Sequence, residues 1–313
     1  MLKQSSSRIR DTVKRHAFPD SDVSRFTNDV HRLFDQPAGQ TTQSKRTIGL
    51  MLLVVDIGNT NIVWGVYDDR ILAAHWRLAT DVKKTSDEYG ILFSNLLTAA
   101  GIPSQRLSGA IISSVVPALT RTVANMLDHY FHQRPLIVTS DTDTGLILRY
   151  ANPKEIGSDR LVNAAAAYHK YRRDLIVVDF GTATTFCAIT AEGHYLGGVI
   201  SPGLGISAEA LFTRAAQLAK VELIRPKTVI GTDTASSIQA GLLFGYAGLV
   251  DTVVRRMEQE LGRSAYVIGT GGLSSILAAE TTSIQKIEPF LTLEGLELLY
   301  RQSQNSRPPT LQV

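Results

Sequence analysis

Cysteine is almost missing from this 313-residue chain, which contains one, Cys187. A single thiol excludes an intrachain disulfide and a cysteine-rich zinc cluster, and it suits a reducing, cytoplasmic compartment. No uninterrupted apolar run reaches the roughly 18 residues that would predict a membrane-spanning helix. The composition, 44% hydrophobic and 19% charged, is typical of a packed globular protein.

An excess of one charge is also missing from most of the chain. Nine of the 32 basic and five of the 29 acidic residues precede Met51, so 23 basic and 24 acidic residues remain after it. Nucleic-acid binding needs a positive field, which a body of this balance does not supply. The sequence therefore predicts neither a nucleic-acid partner nor a membrane partner.

Residues 1–50 differ from the rest. They are rich in Ser, Thr, Gln, Arg and Asp, and Met51 is followed at once by an apolar run. Five Asp argue against a transit peptide, and no apolar signal-peptide core is present. We expect residues 1–50 to be a disordered extension, or to be absent from a cellular protein that starts at Met51.

From Met51 onward the predicted elements occur twice in the same order. Three short strands with turn residues between them predict an antiparallel meander, which helices and further strands follow. The first set comprises strands at 52–56, 62–67, 71–77, 110–114 and 136–138 with helices at 86–100 and 119–130. The second comprises strands at 175–179, 185–191, 195–200 and 265–268 with helices at 207–219 and 236–262. Two mixed sheets with helices on their faces predict an α/β fold with a cleft between the halves. A linker is expected near 140–170.

A glycine turn ends the first strand of each half. The first turn reads Asp56-Ile57-Gly58-Asn59-Thr60-Asn61 and the second Asp179-Phe180-Gly181-Thr182-Ala183-Thr184-Thr185. Glycine lets the backbone approach a phosphate, Thr and Asn donate hydrogen bonds without adding charge, and Asp can hold a hydrated cation. One such turn is ordinary hairpin chemistry. Two at matching positions favour a nucleotide site built from hairpins.

A third glycine segment follows the strand near 265–268 and contains Gly271 and Gly272, where the backbone could lie flat against an adenine ring. Alone it is equally well explained as a packing turn. Neither the P-loop pattern nor the dinucleotide-binding glycine pattern after a strand is present.

Between the halves lies Gly157-Ser158-Asp159-Arg160, with Tyr150 before it. A carboxylate beside a cleft can accept the proton of an attacking hydroxyl, and a neighbouring arginine can hold a substrate carboxylate. The residues alone are also explained as a capped helix start.

Together these segments resemble the type III pantothenate kinases, from Met51 to about Tyr300. The resemblance rests on residues 56–61, 157–160, 179–185, 271–272 and 234–241. The last segment is preceded by Asp233, where the family usually has Asn. The resemblance implies duplicated actin-like ATPase domains of the ribonuclease H type, at 51–155 and 156–313 with a cleft between them. It also implies ATP-dependent phosphorylation of pantothenate to 4′-phosphopantothenate, the first step of coenzyme A synthesis.

The resemblance also implies a role for each matching residue. Asp159 would be the general base, and Asp179 would sit near a monovalent cation, K⁺ or NH₄⁺, beside ATP and Mg²⁺. Thr234 would reach the substrate across a homodimer interface. The implied pantothenate residues are Tyr150, Gly157, Ser158, Asp159, Arg160 and Thr234. The implied ATP residues are Asp56, Ile57, Gly58, Asn59, Thr60, Asn61, Ile62, Val63 and Thr182.

Three alternatives stay open from the sequence. Another small-molecule kinase of the superfamily would share the turns without needing Gly-Ser-Asp-Arg after a Tyr. A non-catalytic transcription accessory factor is disfavoured by the three intact aspartates, Asp56, Asp159 and Asp179. An actin-like or chaperone ATPase would need insertions that the residues after Met51 leave no room for.

Overall fold

The structure, a computed structural model, describes residues 50–215 and 220–305. The predicted N-terminal extension, apart from its last residue, Leu50, lies outside the described residues. All the elements named here belong to one compact unit that begins at Ile48.

The first sheet has five strands in the order β3-β2-β1-β4-β5. The β1–β2 and β2–β3 pairs are antiparallel, whereas β4 runs parallel to β1 and β5 parallel to β4. Strand β1 is apolar and buried along almost its whole length, as expected for a central strand with helices on both faces. The strands are β1 Met51–Ile57, β2 Asn61–Asp68, β3 Ile71–Ala79, β4 Leu107–Ser114 and β5 Leu136–Ile137.

The second sheet repeats this plan and has the order β11-β10-β7-β8-β9-β6. Its β7–β8 and β8–β9 pairs are antiparallel, and β10 and β11 add in parallel beyond β7. Strand β6 is an extra edge strand, parallel to β9. The strands are β6 Ile147–Leu148, β7 Leu175–Phe180, β8 Ala183–Ile189, β9 His194–Pro202, β10 Tyr266–Thr270 and β11 Lys286–Ile287. The shared strand order confirms the predicted duplicated α/β fold.

Local signals fix where several helices begin and end. Thr85 and Glu88 form a capping box before α1, and Pro117 stands at the first position of α2. Asp233 and Ser236 cap α5, which ends at left-handed Gly262. The helices are α1 Ser86–Ala99, α2 Pro117–Phe131, α3 Ser158–Tyr171, α4 Leu204–Arg214, α5 Thr234–Leu261, α6 Ser274–Ala278 and α7 Leu291–Asn305.

Apolar side chains cover both faces of each sheet. Helices α1 and α2 pack on one face of the first sheet, where Trp64 stacks on Phe93 with ring centroids 4.6 Å apart. Helices α3 and α7 pack on its other face, and α3 also packs on the second sheet. Helix α5 covers the remaining face of the second sheet. Helix α3 therefore contacts both halves, and it carries the segment predicted to hold the general base.

The structure corrects three predictions. The helix predicted at 207–219 begins at Leu204, because its first turn starts directly after extended Gly203. It ends at Arg214, since Ala215 has an extended backbone, and residues 216–219 lie outside the described residues. The linker expected near 140–170 ends at residue 157, because α3 begins at Ser158, and the small residues of this helix let it pack into the core.

Helix α7 was missing from the prediction. It follows the second sheet in the chain but packs its leucines, Leu293, Leu296 and Leu299, on the first sheet. A domain boundary between residues 155 and 156 stays a prediction.

Within the described part of the chain, α5 is the one helix whose length and composition would let it cross a membrane. Helices that pack in a protein core pass the same test. Its buried face belongs to the second core and comprises Ile238, Ala240, Leu243, Tyr246, Ala247, Val250, Val254 and Met257.

Candidate active site

The two glycine turns face each other across the halves of the molecule. Each follows the first strand of its sheet, and each is closed by a backbone hydrogen bond, from Gly58 N–H to the Asn61 carbonyl and from Gly181 N–H to the Ala183 carbonyl. The hydroxyl oxygens of Thr60 and Thr182, one from each turn, lie 2.7 Å apart and share a hydrogen bond. The predicted pairing of the turns thus has a direct contact.

Not every residue of the first turn can offer its side chain. Ile57 and Ile62 are completely buried in the first core, and Val63 packs against α7. Asn59 and Thr60 are exposed, and Asn61 is half-buried. A nucleotide would therefore meet Ile57, Ile62 and Val63 through their backbone atoms alone.

Asp56 ends the first strand beside two other carboxylates. Its pKa is raised from 3.8 to about 7, mainly by burial and then by the charges of Asp159 and Asp179. A hydrogen bond from Ser113, at the end of β4, and the charge of Arg77 partly offset this increase. The carboxyl group is thus poised to gain from a nearby cation.

Asp179 has the matching position in the second half. Burial, followed by the charge of Asp159, raises its pKa from 3.8 to about 7. The side-chain amide of Asn163 donates to its Oδ2 at 3.0 Å, and Thr292 Oγ1 donates to the Asn163 carbonyl oxygen at 2.7 Å. This chain from α7 through α3 to the second turn was missed from the sequence. The four-residue spacing between Asp159 and Asn163, which puts both on one helix face, was the available signal.

Asp159 lies in the first turn of α3, and its charge acts on both other aspartates. Its Oδ1 accepts a hydrogen bond from Arg160 N–H at 2.8 Å. Burial raises its pKa, while that hydrogen bond and the Arg160 guanidinium act in the opposite direction. A Cβ on Gly157 would lie 2.5 Å from the same Oδ1, so glycine is needed there for this side-chain position.

Ser158 anchors this helix start to the first sheet. Its hydroxyl accepts from Ser114 N–H at 2.9 Å and donates to the Ser114 carbonyl at 3.0 Å. The Ser113 hydroxyl is 3.1 Å away. The Ser158 side chain, predicted to contact substrate, is buried and already has partners. It links the start of α3, which carries Asp159, to β4, whose Ser113 hydrogen-bonds the Asp56 carboxyl group.

Arg160 is buried, with 6% of its surface exposed. Its Nε donates to Cys187 Sγ at 3.4 Å, and its guanidinium carbon lies 5.9 Å from the Tyr195 ring centroid. Among the described residues its buried Nη2 has no hydrogen-bond partner. Tyr150 lies alongside, 6.3 Å from Tyr195 between ring centroids. A buried cation with a free donor is a receptor for a carboxylate.

The glycine pair after β10 packs against the same charges. Gly271 has a φ of +91°, and a Cβ there would lie 2.4 Å from Asp179 Oδ1. A Cβ on Gly272 would lie 2.5 Å from Nη1 of Arg77, a residue of β3 in the other half. Close approach therefore explains both glycines, and contact with an adenine ring stays a prediction.

Thr234 stands apart from this group. It is exposed at the start of α5 and lines an open cavity of about 640 Å³. Asp159, Arg160 and Tyr150 are not among the described residues that line this cavity. The cavity is lined by Leu211, Gly231, Thr232, Asp233, Thr234, Ser237, Ile238, Gly241 and Leu242.

The described side chains do not by themselves form a complete metal site. Across the described ranges no group of three or more His, Cys, Asp or Glu residues is arranged to hold a metal ion. The half-buried carboxylates of Asp56 and Asp179 nonetheless suit a cation that takes its other oxygens from phosphate or water.

Sequence comparison finds a matching family model and a similar protein that carry the same description. A family model for type III pantothenate kinase matches residues 52–256. A type III pantothenate kinase from Geobacter sulfurreducens is 51% identical over 253 residues, which cover 81% of this chain and 99% of that protein.

Structure comparison gives distant relatives. A protein assigned as a 2-dehydro-3-deoxygalactonokinase from Sinorhizobium meliloti matches with a TM-score of 0.52 at 15% identity, covering 84% of this chain and 100% of that one. A protein assigned to the Baf family of transcriptional activators from Campylobacter jejuni matches with a TM-score of 0.51 at 18% identity, covering 81% and 99%. At these identities the likeness concerns the fold.

Proposed function

The chain belongs to the type III pantothenate kinase family, and we propose that Asp159 and the two glycine turns carry out the reaction of that family. The chain is an ATP-dependent kinase that phosphorylates pantothenate to 4′-phosphopantothenate in coenzyme A synthesis. The observation that carries the residue roles is the contact between the two turns, Thr60 to Thr182, beside aspartates whose pKa the charge of Asp159 raises in both turns.

Asp159 is the general base. The 4′-hydroxyl of pantothenate gives its proton to this carboxylate as its oxygen attacks the γ-phosphorus of ATP. The raised pKa favours this role, because a base whose pKa lies nearer the working pH accepts a proton more readily. The Arg160 N–H holds one carboxylate oxygen and fixes the orientation of the group.

Arg160 binds the carboxylate of pantothenate. Its Nη2 is buried without a partner among the described residues, and an incoming carboxylate would satisfy it. Tyr150 lines the same place, while Gly157 and Ser158 keep the start of α3 in position. Substrate carboxyl and substrate hydroxyl would thus be held by neighbouring residues of one helix.

The first turn, Asp56–Val63, and Thr182 bind the phosphates of ATP. Their hydroxyl and backbone donors approach from opposite halves, as the Thr60–Thr182 contact indicates. ATP enters such kinases with a divalent cation, Mg²⁺, which neutralises charge on the transferred phosphoryl group. Asp179 holds a monovalent cation, K⁺ or NH₄⁺, supported by its half-buried carboxylate and the fixed amide of Asn163.

Thr234 completes the substrate site of a second copy in a homodimer. Its exposure and its separate cavity support a role outside its own half. We propose a cytoplasmic enzyme with neither a nucleic-acid nor a membrane partner, in line with the near-neutral charge after Met51.

The test is ADP release by the full chain with Mg-ATP, with and without pantothenate, in KCl and in NaCl. Pantothenate-dependent release that is faster in KCl is expected. No pantothenate-dependent release in either salt would contradict the substrate. Equal rates in the two salts would remove the cation from the proposal.

A further inference from the structure

Arg77 is a cation near the phosphate site that no sequence motif indicated. It lies near the end of β3 and pairs with Val63, the last residue of the first turn segment. A Cβ on Gly272 would be 2.5 Å from its Nη1, so the guanidinium reaches the glycine pair of the second half. The Arg77 side chain of the first sheet therefore contacts the glycine pair that follows β10 of the second sheet.

The head of Arg77 is near both half-buried carboxylates of the turns. Its positive charge lowers the pKa of Asp56 and that of Asp179. The side chain is nevertheless exposed, and within the described ranges its guanidinium makes no hydrogen bond or ion pair. An arginine offers five donors in a fixed fork, and here they remain available for a ligand.

The two turns lack positive charge of their own. Neither 56–63 nor 179–185 contains a Lys or Arg, so their donors to phosphate are neutral. Phosphoryl transfer is achieved largely by charge stabilisation, for which an arginine fork matches phosphate oxygens in pairs. The cation that reaches this place from β3 is Arg77.

We propose that Arg77 is a ligand of the β- and γ-phosphates of ATP and joins the two halves through them. This role rests on the proposed kinase function. Arg77 is not among the site residues that the family resemblance implies. With ATP bound, the guanidinium moves its donors onto phosphate oxygens while Gly272 leaves room beside it.

A purely structural role would be different. Arg77 could serve only to offset the charges of Asp56 and Asp179. In that case its loss would weaken the binding of ATP, ADP and AMP equally, or would leave the binding of all three unchanged. A phosphate ligand instead distinguishes nucleotides by phosphate number. Binding of ATP, ADP and AMP, measured without any acceptor, separates the two roles.

The experiment compares Arg77→Gln and Arg77→Lys with Arg70→Gln in the full chain. Arg70 is an exposed arginine in the turn directly before the same strand and serves as the matched control. In Arg77→Gln we expect the Kd for ATP to rise about tenfold or more and turnover to fall about 100-fold. AMP binding should stay within about twofold, and Arg77→Lys should recover part of the loss, because an ammonium supplies charge without the fork.

A second variant leaves the charge in place. Gly272→Ala adds a methyl group where the Arg77 head lies, so the head must move. We expect ATP binding to weaken about threefold to tenfold with AMP unaffected, in the direction seen for Arg77→Gln.

The outcomes separate this inference from the kinase function. If Arg77→Gln binds ATP as wild type does, or loses ATP and AMP equally, the inference is wrong whatever the acceptor. If the ATP-specific loss appears but wild type does not use pantothenate, Arg77 keeps its role and the proposed substrate fails.

Discussion

The two glycine turns have nearly the same composition but different supports. In the first, Asp56 is held by Ser113, a residue of the neighbouring strand β4 in the same sheet. In the second, Asp179 is held by Asn163 of α3, and Asn163 is held by Thr292 of α7. The first turn depends on its own sheet, whereas the second depends on two helices that lie between the sheets.

The two turns share a sequence motif, but different kinds of side chain hold their aspartates. Both carboxyl groups have a pKa raised to about 7, because burial and the charge of Asp159 act on both. The side chains that orient them come from unrelated parts of the chain. Asn163 lies in the same helix as Asp159, so a hydrogen bond from that helix connects the second turn to the proposed base. The first turn is connected to the same helix through the Ser113–Ser158 hydrogen bond.

Removing the carboxylate that faces both turns should have the largest effect. We expect Asp159→Asn to lower pantothenate-dependent turnover about 1000-fold, because the attacking hydroxyl loses its base. ATP affinity should stay within about threefold, since both turns remain. Asp87→Asn, in the exposed first turn of α1, is the matched control. Turnover above a tenth of wild type in Asp159→Asn would mean that the two turns work without it.

Removing either turn's own carboxylate should stabilise the fold above neutral pH. A folded-state pKa of about 7, against 3.8 as the ordinary value, means that the folded protein holds its proton more tightly. The free energy of unfolding therefore falls as pH rises from about 4 to about 7, and the loss is complete above that. In urea unfolding at pH 8, we expect Asp56→Asn and Asp179→Asn each to gain about 2 to 4 kcal/mol over wild type.

The same measurement at pH 5 should show a smaller gain, because most of the penalty has gone. Added KCl should stabilise wild type and Asp56→Asn but not Asp179→Asn, if the cation sits on the second turn alone. A gain that is equal at both pH values would contradict the assigned pKa shifts. An equal response of both variants to KCl would make the turns alike after all.

Removing the supports should sharpen the contrast by smaller amounts. Asn163→Ala and Ser113→Ala each delete a hydrogen bond that lowers a carboxyl pKa, so the acidic limb of the pH–rate profile should move to higher pH in both. We expect about a tenfold loss of kcat/KM at pH 6.5 for Asn163→Ala and about threefold for Ser113→Ala.

Asn163 should matter more, because its loss also leaves Thr292 without its acceptor. Ser108→Ala, at the other end of β4, controls for the loss of a strand hydroxyl that bonds backbone. A larger effect of Ser113→Ala than of Asn163→Ala would reverse the comparison. A loss that is the same at pH 6.5 and pH 9 would show that the supports do not act through the carboxyl pKa.

The sequence predicted the parts of this site that lie on local patterns. The apolar strands before each turn, the Asp-x-Gly pattern and the start of α3 are short-range signals, and their strands and helix are present. The supports were not predictable in this way, since Asn163 and Thr292 are 129 residues apart. Arg77 was overlooked because an arginine within an alternating strand normally reads as a solvent-facing residue.

Packing explains the errors in the fold. The leucines of α7 follow a helical period, but their partner is the first sheet, more than 150 residues earlier in the chain. The small residues of α3 are compatible with a helix, but their composition does not show that this helix packs between two sheets. Such choices depend on which surface is left uncovered after the sheets form.

The central claim is transfer of a phosphoryl group to pantothenate between the two turns, and phosphorus NMR of the reaction mixture tests it most directly. Full-length protein would be incubated with Mg-ATP and pantothenate in KCl, beside the Asp159→Asn variant. We expect a new phosphomonoester signal in step with ADP for wild type, and none for the variant. ADP accompanied by orthophosphate, without a phosphomonoester, would contradict the claim and indicate an ATPase.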